Sequence, residues 1–222
     1  HVVVIDYGIG NLLSVKRGLE VCGGTVEVTD DKSVIESADR LVLPGVGAFR
    51  DGMEGLRKKG FIDTIKRYVE RERPLLGICL GMQMLMDESC EFGNHKGLGL
   101  ITGEVMAIPT DSDESGKPKR KIPHIGWCAL HPNGGDEWRT PLLATINHGT
   151  PFYFVHSYMS MPQDASELVG VCDYEGEKIS AMIQKGLVMG TQFHPEKSGE
   201  NGLKILDNFL ALQGFLLAVR VP

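Results

Sequence analysis

Cysteine is scarce in this chain. Its five cysteines in 222 residues fall at 22, 79, 90, 128 and 172, with no CxxC pair. That spacing excludes the dense disulfide framework of a small secreted domain and favours a reducing compartment, so a cytoplasmic protein is expected. Long hydrophobic runs are also missing. HVVVIDYG offers four apolar residues before Asp6, too short for the core of a signal peptide, and nothing approaches the roughly 20 apolar residues of a membrane span. Positive charge is not in excess: 23 Lys and Arg stand against 29 Asp and Glu, for a net charge of -6. General binding to nucleic acid or to an anionic membrane then has no electrostatic basis, and neither is expected as a partner. There is no HExxH and no zinc-ligand cluster, so no metal is called for. DYGIGN, Asp6 to Asn11, has Gly8 and Gly10 but lacks the GxGxxG of a dinucleotide fingerprint, and no cofactor is expected. No internal repeat or interdomain linker stands out, which suits a single domain over residues 1–222. The start at His1 points to a trimmed or engineered terminus, and the end at Val221 and Pro222 leaves room for a fused partner.

What is present reads as an α/β domain. A hydrophobic content of 42% supplies a sizeable core. Val2 to Ile5, Thr25 to Val28, Arg40 to Leu43 and Leu75 to Ile78 are short β-rich runs separated by helical patterns. The clearest helix is Phe61 to Arg73, where Phe61, Ile65, Tyr68 and Val69 make one apolar stripe among charges. Crossover helices between such strands imply a mostly parallel sheet covered on both faces, with ligands at the carboxyl ends of the strands. After about residue 97 the texture becomes strand-like, at Leu100 to Ile108, Ile122 to Leu130, Phe152 to Val155, Leu168 to Cys172, Ser180 to Ile183 and Val188 to Gln192. The sheet is therefore expected to be extended by antiparallel strands before a closing helix, Gly199 to Val219. Thr110 to Lys121, TDSDESGKPKRK, has three acids before four bases and no apolar anchor, and reads as a loop.

The strongest local signal is GICLGMQML, Gly77 to Leu85. The β run LLGI enters it and the helix-compatible run LGMQMLM leaves it, the strand-turn-helix setting of a nucleophile elbow with Cys79 where the serine of GxSxG would stand. Gly77 and Gly81 leave room for a sharp turn. A helix amino terminus favours a thiolate, and the Leu80 N–H can point at an oxyanion. The competing reading of Cys79 is a buried small hydrophobe. Cys22, Cys90, Cys128 and Cys172 lack the setting and read as structural.

A base is offered by TQFHPEKS, Thr191 to Ser198, where an apolar strand delivers His194 at its carboxyl end and Pro195 stiffens the turn before Glu196. An imidazole can take the Cys79 proton and return it to a leaving group, while a carboxylate orients the imidazole. A surface-turn histidine beside a solvated acid is the alternative. The second oxyanion donor has a natural source in LVLPGVGAF, Leu41 to Phe49, where Gly45 and Gly47 around Val46 let backbone N–H groups turn inward; an ordinary glycine-rich turn competes with it. His156, after the strand FYFV, either lines the pocket with Ser157 and Tyr158 or is a packed histidine bonded to backbone. His124, His131 and His148 are dispersed.

PGVG at 44–47, GICLGMQ at 77–83 and QFHPEKS at 192–198 resemble class I glutamine amidotransferases, in that family's order and over nearly the whole chain. The resemblance implies a largely parallel αβ sheet and hydrolysis of L-glutamine through a triad of Cys79, His194 and Glu196. It assigns Gln83 to contact with the glutamine, and Leu80 with the backbone around Val46 and Gly47 to the oxyanion. DYGIGNLLSV, PGVGAFRDGM, PHIGWC, YFVHSY and FHPEKSG are similar to the glutaminase subunits or domains of imidazole glycerol phosphate synthases. The related anthranilate and aminodeoxychorismate synthase glutaminases usually have PGPG and GVCLGHQ, where this chain has Val46 and Met82. That likeness implies a (β/α)8 cyclase partner, separate or fused, which receives the ammonia, with Asn11, Trp127 and Lys197 facing it or relaying its signal. From its chemistry alone Trp127 is a core or interface aromatic. Where that family usually reads GWN, this chain has Gly126, Trp127 and Cys128, which puts local interface contacts or an amide hydrogen bond in question. Other outcomes are a glutaminase for another synthase, a stand-alone γ-glutamyl hydrolase or cysteine peptidase, and an inactive domain of the same fold.

Overall fold

A computed structural model describes residues 1–112 and 117–219. The first half alternates strand and helix: β1 (Val2–Ile5), α1 (Leu12–Val21), β2 (Val26–Thr29), α2 (Lys32–Ser37), β3 (Arg40–Gly45), α3 (Phe49–Lys59), α4 (Phe61–Glu70), β4 (Leu75–Cys79) and α5 (Leu80–Met84). Short strands β5 (Met86–Ser89) and β6 (His95–Lys96) follow. The second half is mainly strand: β7 (Ile101–Ala107), β8 (His124–Pro132), β9 (Thr150–His156), β10 (Tyr158–Pro162), β11 (Leu168–Tyr174), β12 (Glu177–Lys185) and β13 (Val188–Thr191), before α6 (Gly199–Val219).

The main sheet has nine strands in the order β2-β1-β3-β4-β13-β12-β11-β8-β9. Its first five strands are parallel, and β12, β11, β8 and β9 extend it with antiparallel pairings. The α/β class and the antiparallel extension expected from sequence are both present. Complete burial of Val2, Val3, Val4 and Ile5 in β1 follows from packing on both sheet faces, one against α1 and α6 and the other against α3 and α4.

Three expectations need correction. Besides the main sheet there is a second one, β10-β7-β5-β6, so Leu100 to Ile108 does not extend the main sheet. The helix after Cys79 stops at Met84, because Leu98 and Leu100 donate their N–H groups to the carbonyls of Met84 and Leu85 and draw the chain into β5. The helix from Phe61 ends at Glu70 rather than Arg73: Glu72 turns to a positive φ of 53°, and Pro74 disfavours helical backbone at Arg73. Strand limits elsewhere differ by a few residues at most.

Of the loop at 110–121, residues 113–116 lie outside the described residues. The remainder is anchored by charge. Arg120, its side chain 4% exposed, donates to the carbonyls of Pro109 and Glu175 at 2.7 and 3.4 Å and pairs with Asp111 and Glu177. An apolar anchor is unnecessary when a buried guanidinium fills that place.

Candidate active site

Parallel pairing of β13 with β4 sets the site. Thr191 lies opposite Ile78, so both strands end side by side and release Cys79 and His194 at one edge of the sheet. On the other flank of β4, Gly45 pairs with Cys79 and brings the PGVG turn alongside. Cys79 has φ 55° and ψ -109°, the strained backbone of an elbow in a residue that carries a β-carbon. Its neighbours allow that turn. A Cβ on Gly77 would come within 2.7 Å of the Gly81 carbonyl group, and one on Gly81 would lie 1.8 Å from the Leu43 carbonyl oxygen.

Cys79 is 6% exposed, at the wall of a cavity of about 260 Å³ lined by Val46, Gly47, Leu80, Gln83, Glu91, Pro123, Val155, His156, Ser157, Tyr158 and His194. Every pocket candidate read from the sequence is therefore in one place. Glu196 sits behind His194, its Oε1 2.8 Å from Nδ1, in the single 3-10 turn Pro195–Lys197. Both side chains are nearly sealed from solvent, at 2% and 1% exposure. The turn is held by Ser198, whose hydroxyl donates to the His194 carbonyl at 2.7 Å and accepts from the Tyr153 N–H at 3.0 Å.

Burial pulls the His194 imidazole down, but the Cys79 sulfur and the Glu196 carboxylate outweigh it and push the group up to about 9. The imidazolium form of His194 is the one this arrangement favours. On the far side, the Tyr7 phenol is raised above its ordinary range by burial and by Cys79, and it donates to the Pro44 carbonyl at 2.7 Å. That bond ties β1 to the start of PGVG. Gly47 holds a φ of 93°, a left-handed conformation suited to glycine, and Val46 is 39% exposed.

Gln83 donates from Nε2 to the Tyr158 carbonyl and to Gln192 Oε1, each at 3.0 Å, which leaves its own carbonyl end for the cavity. Both readings of His156 hold together: it lines the pocket, and its Nδ1 lies 2.8 Å from the Tyr158 carbonyl. Glu91 and Gln192 were missed. Glu91 accepts from the Phe49 N–H at the start of α3 at 2.6 Å and puts a carboxylate on the cavity wall, but its setting in the sequence, CEFGNHK, looks like a turn. Gln192 stands inside the QFHPEKS motif, where the neighbouring histidine draws the attention.

Asn11, Trp127 and Lys197 do not line the cavity. Trp127 is 57% exposed, beside Ile125 at 56% on the same face of β8, so of its two readings the core one is set aside. Lys197 is also exposed, in the turn that carries Glu196, and Asn11 precedes α1. Cys128 donates to the Asp173 carbonyl at 3.0 Å, so the chain that departs from GWN keeps a bond to the next strand. Among the described residues no cluster of three or more His, Cys, Asp or Glu could hold a metal ion, and no helix is long and apolar enough to cross a membrane.

Residues 3–212 match the family model described as glutamine amidotransferase class-I. The chain is 50% identical over 209 residues to the imidazole glycerol phosphate synthase subunit HisH of Syntrophotalea carbinolica, covering 94% of this chain and 98% of that one. It is 47% identical over 212 residues to subunit HisH 1 of Legionella pneumophila strain Lens, covering 95% and 99%. Among solved structures, PurLQS from Thermotoga maritima shares the fold, with a TM-score of 0.72 at 23% identity and coverage of 96% of this chain and 98% of that one.

Proposed function

The chain belongs to the class-I glutamine amidotransferase family and hydrolyses glutamine to supply ammonia for histidine biosynthesis; on that premise we propose that Cys79, His194 and Glu196 are the triad and that a (β/α)8 cyclase receives the ammonia. The observation that carries the assignment is the convergence of the strained Cys79 elbow, the PGVG turn and the buried His194–Glu196 pair on one cavity.

The Cys79 thiolate attacks the side-chain carbonyl carbon of glutamine. The developing oxyanion is received by the N–H of Leu80 and by N–H groups of the backbone around Val46 and Gly47. His194, protonated and oriented by Glu196, gives its proton to the departing nitrogen, so that ammonia leaves and a thioester remains. His194, now neutral, takes a proton from water as the hydroxide adds to the thioester. Collapse expels the Cys79 thiolate and frees the γ-carboxylic acid, which gives its proton to water and leaves as glutamate, so that the starting charges of the triad are restored. Gln83, Ser157 and Tyr158 hold the substrate, and the Glu91 carboxylate on the cavity wall suits the α-ammonium of an amino acid.

Support for the partner comes from the names of the relatives and from the exposed Ile125 and Trp127 on β8, a pair of large apolar side chains that a protein surface would cover. Asn11 and Lys197 belong to the same proposed face or to its signal. The test is glutamate release by the chain alone and with a cyclase partner plus its nucleotide ligand, using Cys79→Ala as the blank. Stimulation that disappears in the variant is expected; robust turnover that ignores the partner would point instead to a stand-alone hydrolase.

A further inference from the structure

The Cys79 sulfur has a polar neighbour outside the triad. Gln192, fully buried just after β13, lies with Nε2 3.6 Å from Cys79 Sγ. A primary amide has two opposite ends. Its N–H end stabilises a thiolate, and its carbonyl end repels one. What the amide does for the nucleophile therefore depends on which end is held toward the sulfur.

Neighbouring groups make that choice one after another. The Tyr158 carbonyl can only accept, so the end of Gln83 that meets it at 3.0 Å must be the N–H end. The same Gln83 nitrogen then donates to Gln192 at 3.0 Å, which makes that end of Gln192 the carbonyl and leaves its N–H end for Cys79. Behind Tyr158 the order continues. The carbonyl also lies 2.8 Å from His156 Nδ1, which must carry a proton to bond it. Burial holds His156 down to about 3, so its ring is neutral and the other nitrogen is a bare acceptor. His124 Nδ1, 3.0 Å away, must then be the donor. The His124 ring is held in place by stacking on Tyr174 and Phe154, with centroids 3.9 and 5.0 Å apart. Each bond in this series has one allowed direction: two donors, Gln83 and His156, converge on the Tyr158 carbonyl, and from Gln83 the donors run on through Gln192 to Cys79.

Resting on the reading of Cys79 as nucleophile, we infer that Gln192 is a further catalytic residue: its N–H end, held toward the sulfur by Gln83, which the Tyr158 carbonyl orients in turn, stabilises the Cys79 thiolate. The titratable groups that also face this sulfur are His194 from beyond β13 and Tyr7 from beyond β1. Gln192 adds an uncharged donor beside them, opposite the Val155 carbonyl, an acceptor 3.9 Å from the sulfur.

The test is the rate of alkylation of Cys79 by iodoacetamide between pH 5.5 and 10, located by peptide mass mapping, with the exposed Cys90 as internal reference. Parent, Gln192→Met and Gln83→Met are compared after circular dichroism has shown each to be folded. In Gln192→Met the midpoint of the profile is expected to move up by about one pH unit, which slows alkylation about tenfold well below the midpoint and leaves the high-pH plateau unchanged. In Gln83→Met the amide remains but is unlocked, so a smaller shift in the same direction is expected. If Gln192→Met does not fold, Gln83→Met decides alone. Profiles that superimpose on the parent overturn the inference, since a merely structural role would lower stability without moving the midpoint. Failure of Cys79 to react ahead of Cys90 in the parent would instead overturn the nucleophile reading beneath it.

Discussion

Replacing Glu196 by glutamine tests the triad with the least change in shape. The carboxylate is 1% exposed and 2.8 Å from His194 Nδ1, so the substitution removes a charge from a site that water does not screen. Two charges at that distance attract by about 6 kcal/mol at an effective dielectric constant near 20, and the cost of burying them cancels part of it. Glu196 is one of two groups that raise His194 toward 9, the other being Cys79, so the imidazolium should titrate well below that value in the variant. Fewer molecules then hold the His194 imidazolium at neutral pH, and the proton transfer to ammonia loses its orienting group. By analogy with other triads, kcat for partner-stimulated glutamate release should fall about 100- to 10,000-fold, or about 3–5 kcal/mol of barrier. The pH–rate profile should lose activity on its alkaline side earlier than the parent. A variant that folds as well as the parent and keeps kcat within threefold would refute the role given to Glu196.

Gly81→Ala forces a Cβ to within 1.8 Å of the Leu43 carbonyl oxygen, a backbone atom in the middle of the sheet, and should cost more than about 4 kcal/mol in urea unfolding or abolish folding. His156 is held down to about 3, mainly by burial, so below the ordinary histidine range the unfolded chain takes up a proton that the folded chain refuses. That contribution to stability is whole above about pH 6.5 and is lost as pH falls toward 3, at about 1.4 kcal/mol per unit for one proton. His156→Asn should flatten the measured slope of stability between pH 4 and 6 by about that amount; an unchanged slope would mean that His156 titrates normally. Trp127→Ala removes a side chain that is 57% exposed, so thermal stability and unstimulated turnover should change little, while the concentration of cyclase giving half-maximal stimulation should rise about 10- to 100-fold.

The first half of the fold was legible because periodicity and punctuation agree there. Val2–Ile5 and Leu75–Cys79 are short apolar strands, and α4 shows its stripe of Phe61, Ile65 and Tyr68. The second sheet was not, and the reason is local. Met86–Ser89 reads MDES, polar at three of its four residues, and Gly97 sits so close to the Met86 carbonyl that an added Cβ would lie 2.1 Å from its oxygen. Pairing with β6 and β7, the next two strands along the chain, makes β5 a strand against the helical pattern that leads into it.

The same contrast runs through the site. Cys79, His194 and Glu196 announce themselves, since each needs a special residue beside a strand end. Glu91 and Gln192 act through geometry that only the fold creates. Glu91 reaches the cavity because β5 hydrogen-bonds to β7 and the turn after it bends back onto α3. Gln192 meets Cys79 because β13 lies beside β4, an adjacency that no spacing along the chain reveals. The second sheet supplies the rest: Tyr158 opens β10, and its carbonyl takes both Gln83 and His156. The sheet whose strands were expected to extend the main one therefore sets the orientation of two amides beside Cys79. A substitution that displaces β10 should alter the chemistry of Cys79 while leaving the His194–Glu196 pair intact, because that pair is anchored separately through Ser198 and Tyr153.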